Sequence, residues 1–440
     1  MKTRLKALAT AAAATAMVLA LATGCSSSGT NASGSAGSSE FKAALDTTQE
    51  VTLKVVGDYS NFEALETQFD EFNKIYPNVH LSYTKMDNYN TAVAETLNAQ
   101  GEDAADLFMV SDYTFTNSKF EAVAAMAEDL STTDVILGNL AENLIYKNPD
   151  GSVPMLPLIG GSYGMVVNED LLAKYNLKVP TTFSELMDCC KVLQDNGIEA
   201  PIQGSDSANS GLYYCFAANH ALTKLANDST ALAKIKNGES GAAEALRADL
   251  DEVAKLLDSG YISHEANEAS KDGYNNQILT FFNGDVPFTM VNTDTASGMA
   301  KRESQSEAYQ ANPFKYSFYT VPCSDDGSYY FELCTRGLSA NKNSAHLDYA
   351  NEFLRFLSQA DTLNAVNADK GTVSVTGDSS NSAIYASLSS VDAAHTSYSG
   401  QISLTDAQYT AIRTAFKSVG NGTSVDEAIA TLDAALAEAK

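Results

Sequence analysis

Apolar positions along this chain keep two rhythms, one of period two and one of three to four. Val51–Val56 (VTLKVV) alternates apolar and polar residues and carries β-branched side chains, which predicts a strand closed by Gly57-Asp58-Tyr59. Phe62, Leu65, Phe69, Phe72 and Tyr76 then recur at steps of three and four. They form the apolar stripe of a helix that Ser60-x-x-Glu63 caps and Pro77 stops. Val79–Tyr83 is a second predicted strand. Tyr89, Val93 and Leu97 mark a second helix, and Ala105–Val110 (ADLFMV) a buried third strand. This alternation implies parallel pairing through right-handed crossovers.

Met155–Leu186 is punctuated differently. Pro157 and Gly160-Gly161 bend an apolar approach, and the β-favouring Met165–Val167 ends in Asn168. Glu169–Tyr175 is a short helix, after which Pro180 and Thr182-x-x-Glu185 open another. Further on, Gly197–Ile202 and Val286–Val291 read as strands, and Ser240–Ser259 as a helix with Leu246, Leu250, Val253 and Leu257 on one face. Leu212-Tyr213-Tyr214 is a short aromatic patch. Helices are predicted over His346–Gln359, around Tyr409, Ile412 and Phe416, and after Ser424-x-x-Glu427, where Val425, Ile429, Leu432 and Leu436 make the stripe.

Composition narrows the class. A chain of 440 residues, 44% hydrophobic, can bury two cores. Its 55 acidic and 28 basic side chains leave a formal charge of −27, which argues against nucleic acid as a partner. Lys2, Arg4 and Lys6 precede the apolar run Ala7–Leu21, and Ser, Gly, Asn and Ala dominate from Ser26 to Ser39. That pattern predicts a signal peptide over 1–24 and a flexible tether over 25–48. Leu21-Ala-Thr-Gly-Cys25 resembles a bacterial lipobox, with Ala22 in place of the usual larger aliphatic residue. The resemblance makes Cys25 the lipidated first residue of an exported protein held on the outer face of the cytoplasmic membrane. Ordinary signal-peptidase cleavage with an incidental Cys25 is the alternative.

The order of these elements resembles family 1 extracellular solute-binding proteins of ABC importers. The residues that carry the resemblance are Ala105-Asp106-Leu107, the strand ending in Asn168, Val179-Pro180-Thr181-Thr182-Phe183-Ser184-Glu185-Leu186, and the Phe281–Val291 stretch. The resemblance implies an α/β, two-lobed periplasmic-binding-protein-like fold of type II, with discontinuous lobes joined by hinge strands. Residues 49–158 and 322–366 would form lobe 1, and 159–321 and 367–440 lobe 2. Phe314–Pro322 would return the chain to lobe 1, and Pro157–Tyr163 would belong to the hinge. A monomer that delivers its ligand to the permease subunits is implied, with no cofactor and no enzymatic activity.

Ligands of doubly wound sheets settle beyond the carboxyl ends of the strands. Carried over position by position, the resemblance makes Asp58, Tyr59, Asp112, Tyr113, Tyr163, Tyr213, Tyr214, Asn292, Asp294 and Tyr409 the candidate ligand-binding residues. Sugars present apolar C–H faces rimmed by hydroxyls, which suits flat rings set among polar side chains. The chain has 21 tyrosines and no tryptophan, so either tyrosine does the stacking or the ligand is not a typical oligosaccharide. The resemblance makes a carbohydrate the expected ligand, with a polyol, peptide or polyamine as the alternative. The absence of an evident cleft arginine argues against a strongly anionic one.

Catalytic and metal motifs are missing. The five histidines are scattered without HExxH spacing, and no G-x-S-x-G, P-loop or G-x-G-x-x-G follows a strand. No metal site is expected. A secreted glycan hydrolase needs only two carboxylates and stays open as the reading from another class. Cys323 and Cys334 flank the Asp326-Gly327 turn and are candidates for a disulfide across a hairpin, with buried free thiols as the alternative.

Overall fold

The protein was analysed as a computed structural model, which describes residues 41–58, 63–99, 101–116, 120–205, 211–263, 267, 273–377 and 383–439. Cys25, Tyr59 and the Ser60 cap lie outside them. Of residues 41–48, expected as tether, Phe41 and Leu45 pack against the first core. Phe41 meets Phe356 edge-on at 5.3 Å, and the Ala44 amide donates to the Tyr76 hydroxyl at 2.7 Å. The Tyr76 hydroxyl donates in turn to Glu352, which Arg355 also holds.

Among the described residues, ten strands form two sheets. The first contains β1 (Val51–Gly57), β2 (Val79–Lys85), β3 (Leu107–Val110), β4 (Leu156–Gly161), β9 (Tyr330–Ala340) and β10 (Thr396–Tyr398). β1 lies parallel between β2 and β3, as the crossover pattern requires. β9 runs antiparallel to β3 and β4 and parallel to β10. The second sheet is β6 (Ile202–Gln203), β7 (Phe288–Asn292), β5 (Tyr163–Asn168) and β8 (Tyr316–Tyr319), in that order. Only two residues of the strand expected at 197–202 and just beyond are extended.

Each sheet has its own core. The first gathers Val51, Leu53, Val55, Leu65, Phe69, Phe72 and Tyr76 with Phe353, Leu357, Leu363 and Val375. The second packs Met165 and Val167 of β5 against Leu186, Phe216, Leu250, Ile412, Phe416 and Leu432. Val166 points to the opposite face of β5, where Phe281, Phe282, Phe318 and Tyr385 cluster. Side chains of successive strand residues alternate faces, so one strand serves both clusters. Helix termini follow the sequence signals: Asn168 Oδ1 accepts from Leu171 N, Thr182 from Glu185 N and Ser424 from Glu427 N.

The chain leaves the first sheet at Gly161 and enters the second at Tyr163. Between them Ser162, 1% exposed, donates from its amide to Thr293 Oγ1 at 3.1 Å and from its hydroxyl to the Phe331 carbonyl at 2.8 Å. A Cβ on Gly161 would lie 2.4 Å from Thr335 Cγ2, so glycine permits this crossing strand to approach β9. β8 pairs with β5 inside the second sheet, so the chain returns to the first only after Tyr319. One expected boundary moves. The boundary at 366/367 falls inside the helix Ala360–Lys370, which packs on the helix Glu63–Ile75 and keeps Val366 in the first core.

The proposed hairpin disulfide is corrected. Ser324 and Gly327 do bridge across a turn, but its flanks join different partners, β8 pairing with β5 and β9 with β3 and β4. Cys323 sits in the second core and Cys334 in a separate apolar cluster with Val110 and Met155, and both are free thiols. Among the described residues no helix is long and apolar enough to cross a membrane.

Candidate functional site

A cavity of about 610 Å³ opens where the two sheets meet. The end of β3 supplies Ser111, Asp112 and Tyr113, and the end of β7 supplies Asn292, Thr293 and Asp294. Ser162 and Tyr163 come from the crossing, Cys334, Thr335 and Arg336 from β9, and Tyr409, Thr410 and Arg413 from the helix Asp406–Gly420. Two recesses adjoin it. One, about 520 Å³, shares Asp112 and Ser403 and adds Tyr146 and Tyr398; the other, about 150 Å³, shares Ser111, Tyr113 and Arg336 and adds Asp58 and Tyr89.

Six of the ten candidate residues line this cavity: Asp112, Tyr113, Tyr163, Asn292, Asp294 and Tyr409. Asp58 stands in the smaller recess, its carboxylate 3.3 Å from the Arg336 guanidinium. Tyr213 and Tyr214 do not reach the cavity. They begin the buried helix Leu212–Asn227 and are 4% and 3% exposed in the second core. Tyr214 acts from behind, meeting Tyr163 edge-on at 5.0 Å and 77°. The Arg413 guanidinium lies 5.6 Å from the ring centres of both Tyr214 and Tyr409.

Sequence reasoning missed both arginines. Arg413 falls one helical turn after Tyr409, on the same face, and that spacing could have revealed it. Arg336 carried no local signal, because its place depends on β9 pairing with strands far away in sequence.

Hydrogen bonds fix several wall groups. Asn292 Oδ1 accepts from Thr295 N at 2.9 Å, capping a short helix at the cavity edge. Asp112 accepts from the Ser399 hydroxyl and from the Cys334 amide, joining three chain segments. Burial raises the Asp112 carboxyl to about 6, against the pull of those two donors. Burial likewise raises Glu332 to about 7, with the Asp112 charge adding to it and hydrogen bonds from Asn143 and Tyr330 opposing. Asp294 keeps solvent contact at the mouth, yet desolvation between the walls pushes it up while Arg336 and Lys370 pull it back.

The Asp112 shift has a stability consequence. The folded state binds this proton more tightly than the unfolded chain, whose aspartate titrates near 3.8. The group therefore contributes stability below that value and loses it as pH rises through about 6. Asp112→Asn is neutral throughout and keeps an acceptor for Ser399. Thermal melts should show the variant gaining on the parent at pH 8 and losing that gain by pH 4. An equal difference at both pH values would show that Asp112 is not perturbed.

The family model described as bacterial extracellular solute-binding protein matches residues 57–362. A curated relative, the putative ABC transporter periplasmic-binding protein YcjN of Escherichia coli (strain K12), is 23% identical over 305 residues. That alignment covers 66% of this chain and spans 64% of the relative's length. Among solved structures, apo RafE from Streptococcus pneumoniae superposes with a TM-score of 0.70 at 17% identity, covering 89% of this chain and 99% of RafE. The sugar transporter BL01359 from Bacillus licheniformis, in complex with stachyose, gives 0.62 at 17% identity over 88% of this chain and all of that one. At such identities the likeness is one of fold.

Proposed function

The chain belongs to the bacterial extracellular solute-binding proteins, and from that premise we propose that it captures a carbohydrate in its interlobe cleft for an ABC importer. One observation carries the ligand class: three tyrosines, Tyr113, Tyr163 and Tyr409, line one cavity with Asp112, Asn292, Asp294 and Arg413. Rings supply apolar faces for C–H groups, and the polar side chains supply partners for hydroxyls. The volume falls within the range of small-molecule sites, and the adjoining recesses extend it beyond a single sugar ring.

Charge favours a neutral sugar. The cavity carries Asp112, Asp294 and Asp406 against Arg336 and Arg413, and Asp58 already faces Arg336. The arginines thus do not create a positive well for an anion. RafE and BL01359 have been solved with raffinose and stachyose, which makes neutral galactose-containing oligosaccharides the first ligands to try.

The mechanism would be hinge closure. A ligand that touches both lobes only when they close shifts the open–closed equilibrium, and the closed form would dock on the permease. Cys25 would carry the lipid anchor, leaving the folded part on the outer face of the cytoplasmic membrane as a monomer. No covalent step is needed, and no enzymatic activity is proposed.

A thermal-shift screen with raffinose, stachyose, other oligosaccharides, amino acids, polyamines and organic anions tests this reading. A saturable rise in Tm with the sugar recovered intact is the expected result. Steady release of hydrolysis products would replace the receptor with a glycan hydrolase. A rise confined to amino acids, polyamines or anions would replace the ligand class.

A further inference from the structure

Away from the cleft, the second lobe buries a cluster that solute binding does not use. His220 on the helix Leu212–Asn227, Asp249 on the helix Arg247–Asp258 and Cys323 after β8 each offer one donor atom, all within 4.8 Å of one another. The side chains of His220 and Asp249 are 9% and 3% exposed, and Cys323 is 1% exposed. None of the three lines the cavity.

Further groups stand around them. His220 Nδ1 lies 2.5 Å from Asp249 Oδ1. On the far side of the ring, Nε2 is buried without a hydrogen-bond partner, 3.6 Å from Asp326 Oδ1. Asp326 is itself held by the Tyr329 hydroxyl at 2.9 Å and by Lys224 at 3.3 Å. Glu252, one helical turn after Asp249, has one carboxylate oxygen bonded to Lys255 and the other buried without a partner. A neutral histidine serves only one carboxylate as donor, and the surplus of acceptors marks the place of a positive charge.

We propose that His220, Asp249 and Cys323 bind a divalent transition-metal cation of the zinc class. An imidazole, a carboxylate and a sulfur are donors that zinc accepts together. Bonds of about 2.0–2.3 Å bring tetrahedral donors to about 3.3–3.8 Å apart, which small side-chain rotations inside the 4.8 Å cluster supply.

Binding replaces the Nδ1–Asp249 hydrogen bond with one bond from each partner to the cation. The Cys323 Sγ–H bond gives way to a Sγ–metal bond, and its proton leaves to solvent. As the Nδ1 lone pair takes the cation, the imidazole proton passes from Nδ1 to Nε2. The Nε2–H then donates to Asp326, the kind of outer carboxylate that fixes the tautomer of metal-bound histidines. Bound there, the ion ties two helices of the second lobe to the segment that carries the chain from β8 back to β9.

The test uses reduced, chelator-stripped protein titrated with cobalt(II), then with zinc. Saturation at one equivalent is expected, with a near-ultraviolet thiolate-to-cobalt band that zinc removes and a higher Tm in the metal-bound protein. Cys323→Ser should lose that band, His220→Ala should lose stoichiometric uptake, and Cys215→Ser, which changes another buried thiol, should keep both. A parent protein that takes up no cobalt overturns the proposal, whatever the variants do. So does stoichiometric uptake unchanged in both Cys323→Ser and His220→Ala, which would place the ion on surface carboxylates. Sugar affinity is measured separately and bears on none of these outcomes.

Discussion

Replacing Phe72 with alanine is expected to destabilise the protein by about 3–5 kcal/mol, the range for emptying a large aromatic site in a packed core. Phe72 is fully buried, and its ring touches four others: Tyr76 stacked at 4.8 Å, Phe353 at 5.1 Å, Phe356 at 5.5 Å and Phe69 at 5.9 Å. These rings join the helix Glu63–Ile75 to the helix Leu347–Leu357, two elements far apart in sequence that must meet to close the first core. Edge-to-face and stacked neighbours add to the loss of buried area, because truncation removes those contacts as well. Domains of this kind have about 5–15 kcal/mol in total, so the variant should unfold at markedly lower urea. A loss under about 1 kcal/mol would mean that the core collapses around the gap, which close packing of the rings forbids. The helix supplies no residue to the cleft wall, so ligand affinity in folded protein should stay unchanged.

Phe72 also shows what the sequence makes legible. Its stripe could be read because the helix buries one face and leaves the other in water, so apolar residues recur every three to four positions. The helix Leu212–Asn227 defeats that reading, since 13 of its 16 residues are buried and no polar face sets a period. Tyr213 and Tyr214 consequently read as an aromatic patch available to a ligand, whereas they are residues of the second core. Strands show the same limit in another form. Phe314–Pro322 reads as the return between lobes, but nothing local says that Tyr316–Tyr319 pairs with β5 before the chain crosses. The loops after β3 and β7 were legible because parallel sheets put ligands beyond strand ends. Arg336, Ser399 and Thr335 reach the same cavity only through β9 and the pairing of β10 with it. Such contacts depend on pairings dozens of residues apart, which a local pattern does not encode.

Tyr409→Ala is expected to weaken the sugar's Kd by about 10–100-fold, the loss of about 1.4–2.8 kcal/mol that truncating a central aromatic anchor brings. Tyr409 is half-buried on the cavity wall, with its ring on one side of the Arg413 guanidinium and that of Tyr214 also within reach. Its helix stands on its own capping box, Thr405 Oγ1 accepting from Gln408 N while Gln408 Oε1 accepts from Thr405 N. Alanine also suits a helix interior, so the backbone should hold and the ligand-free Tm should move little. The companion Tyr409→Phe separates ring from hydroxyl. If stacking carries the affinity, phenylalanine retains it to within a few-fold; if the hydroxyl carries it, phenylalanine falls with alanine. Tyr213→Phe supplies the contrast, since a residue confined to the second core can change stability without touching affinity. Calorimetric titration of the three variants with the sugar found in the screen decides the matter. A Tyr409→Ala protein that binds within twofold of the parent would remove this ring from the binding surface and leave Tyr113 and Tyr163 to carry the stacking.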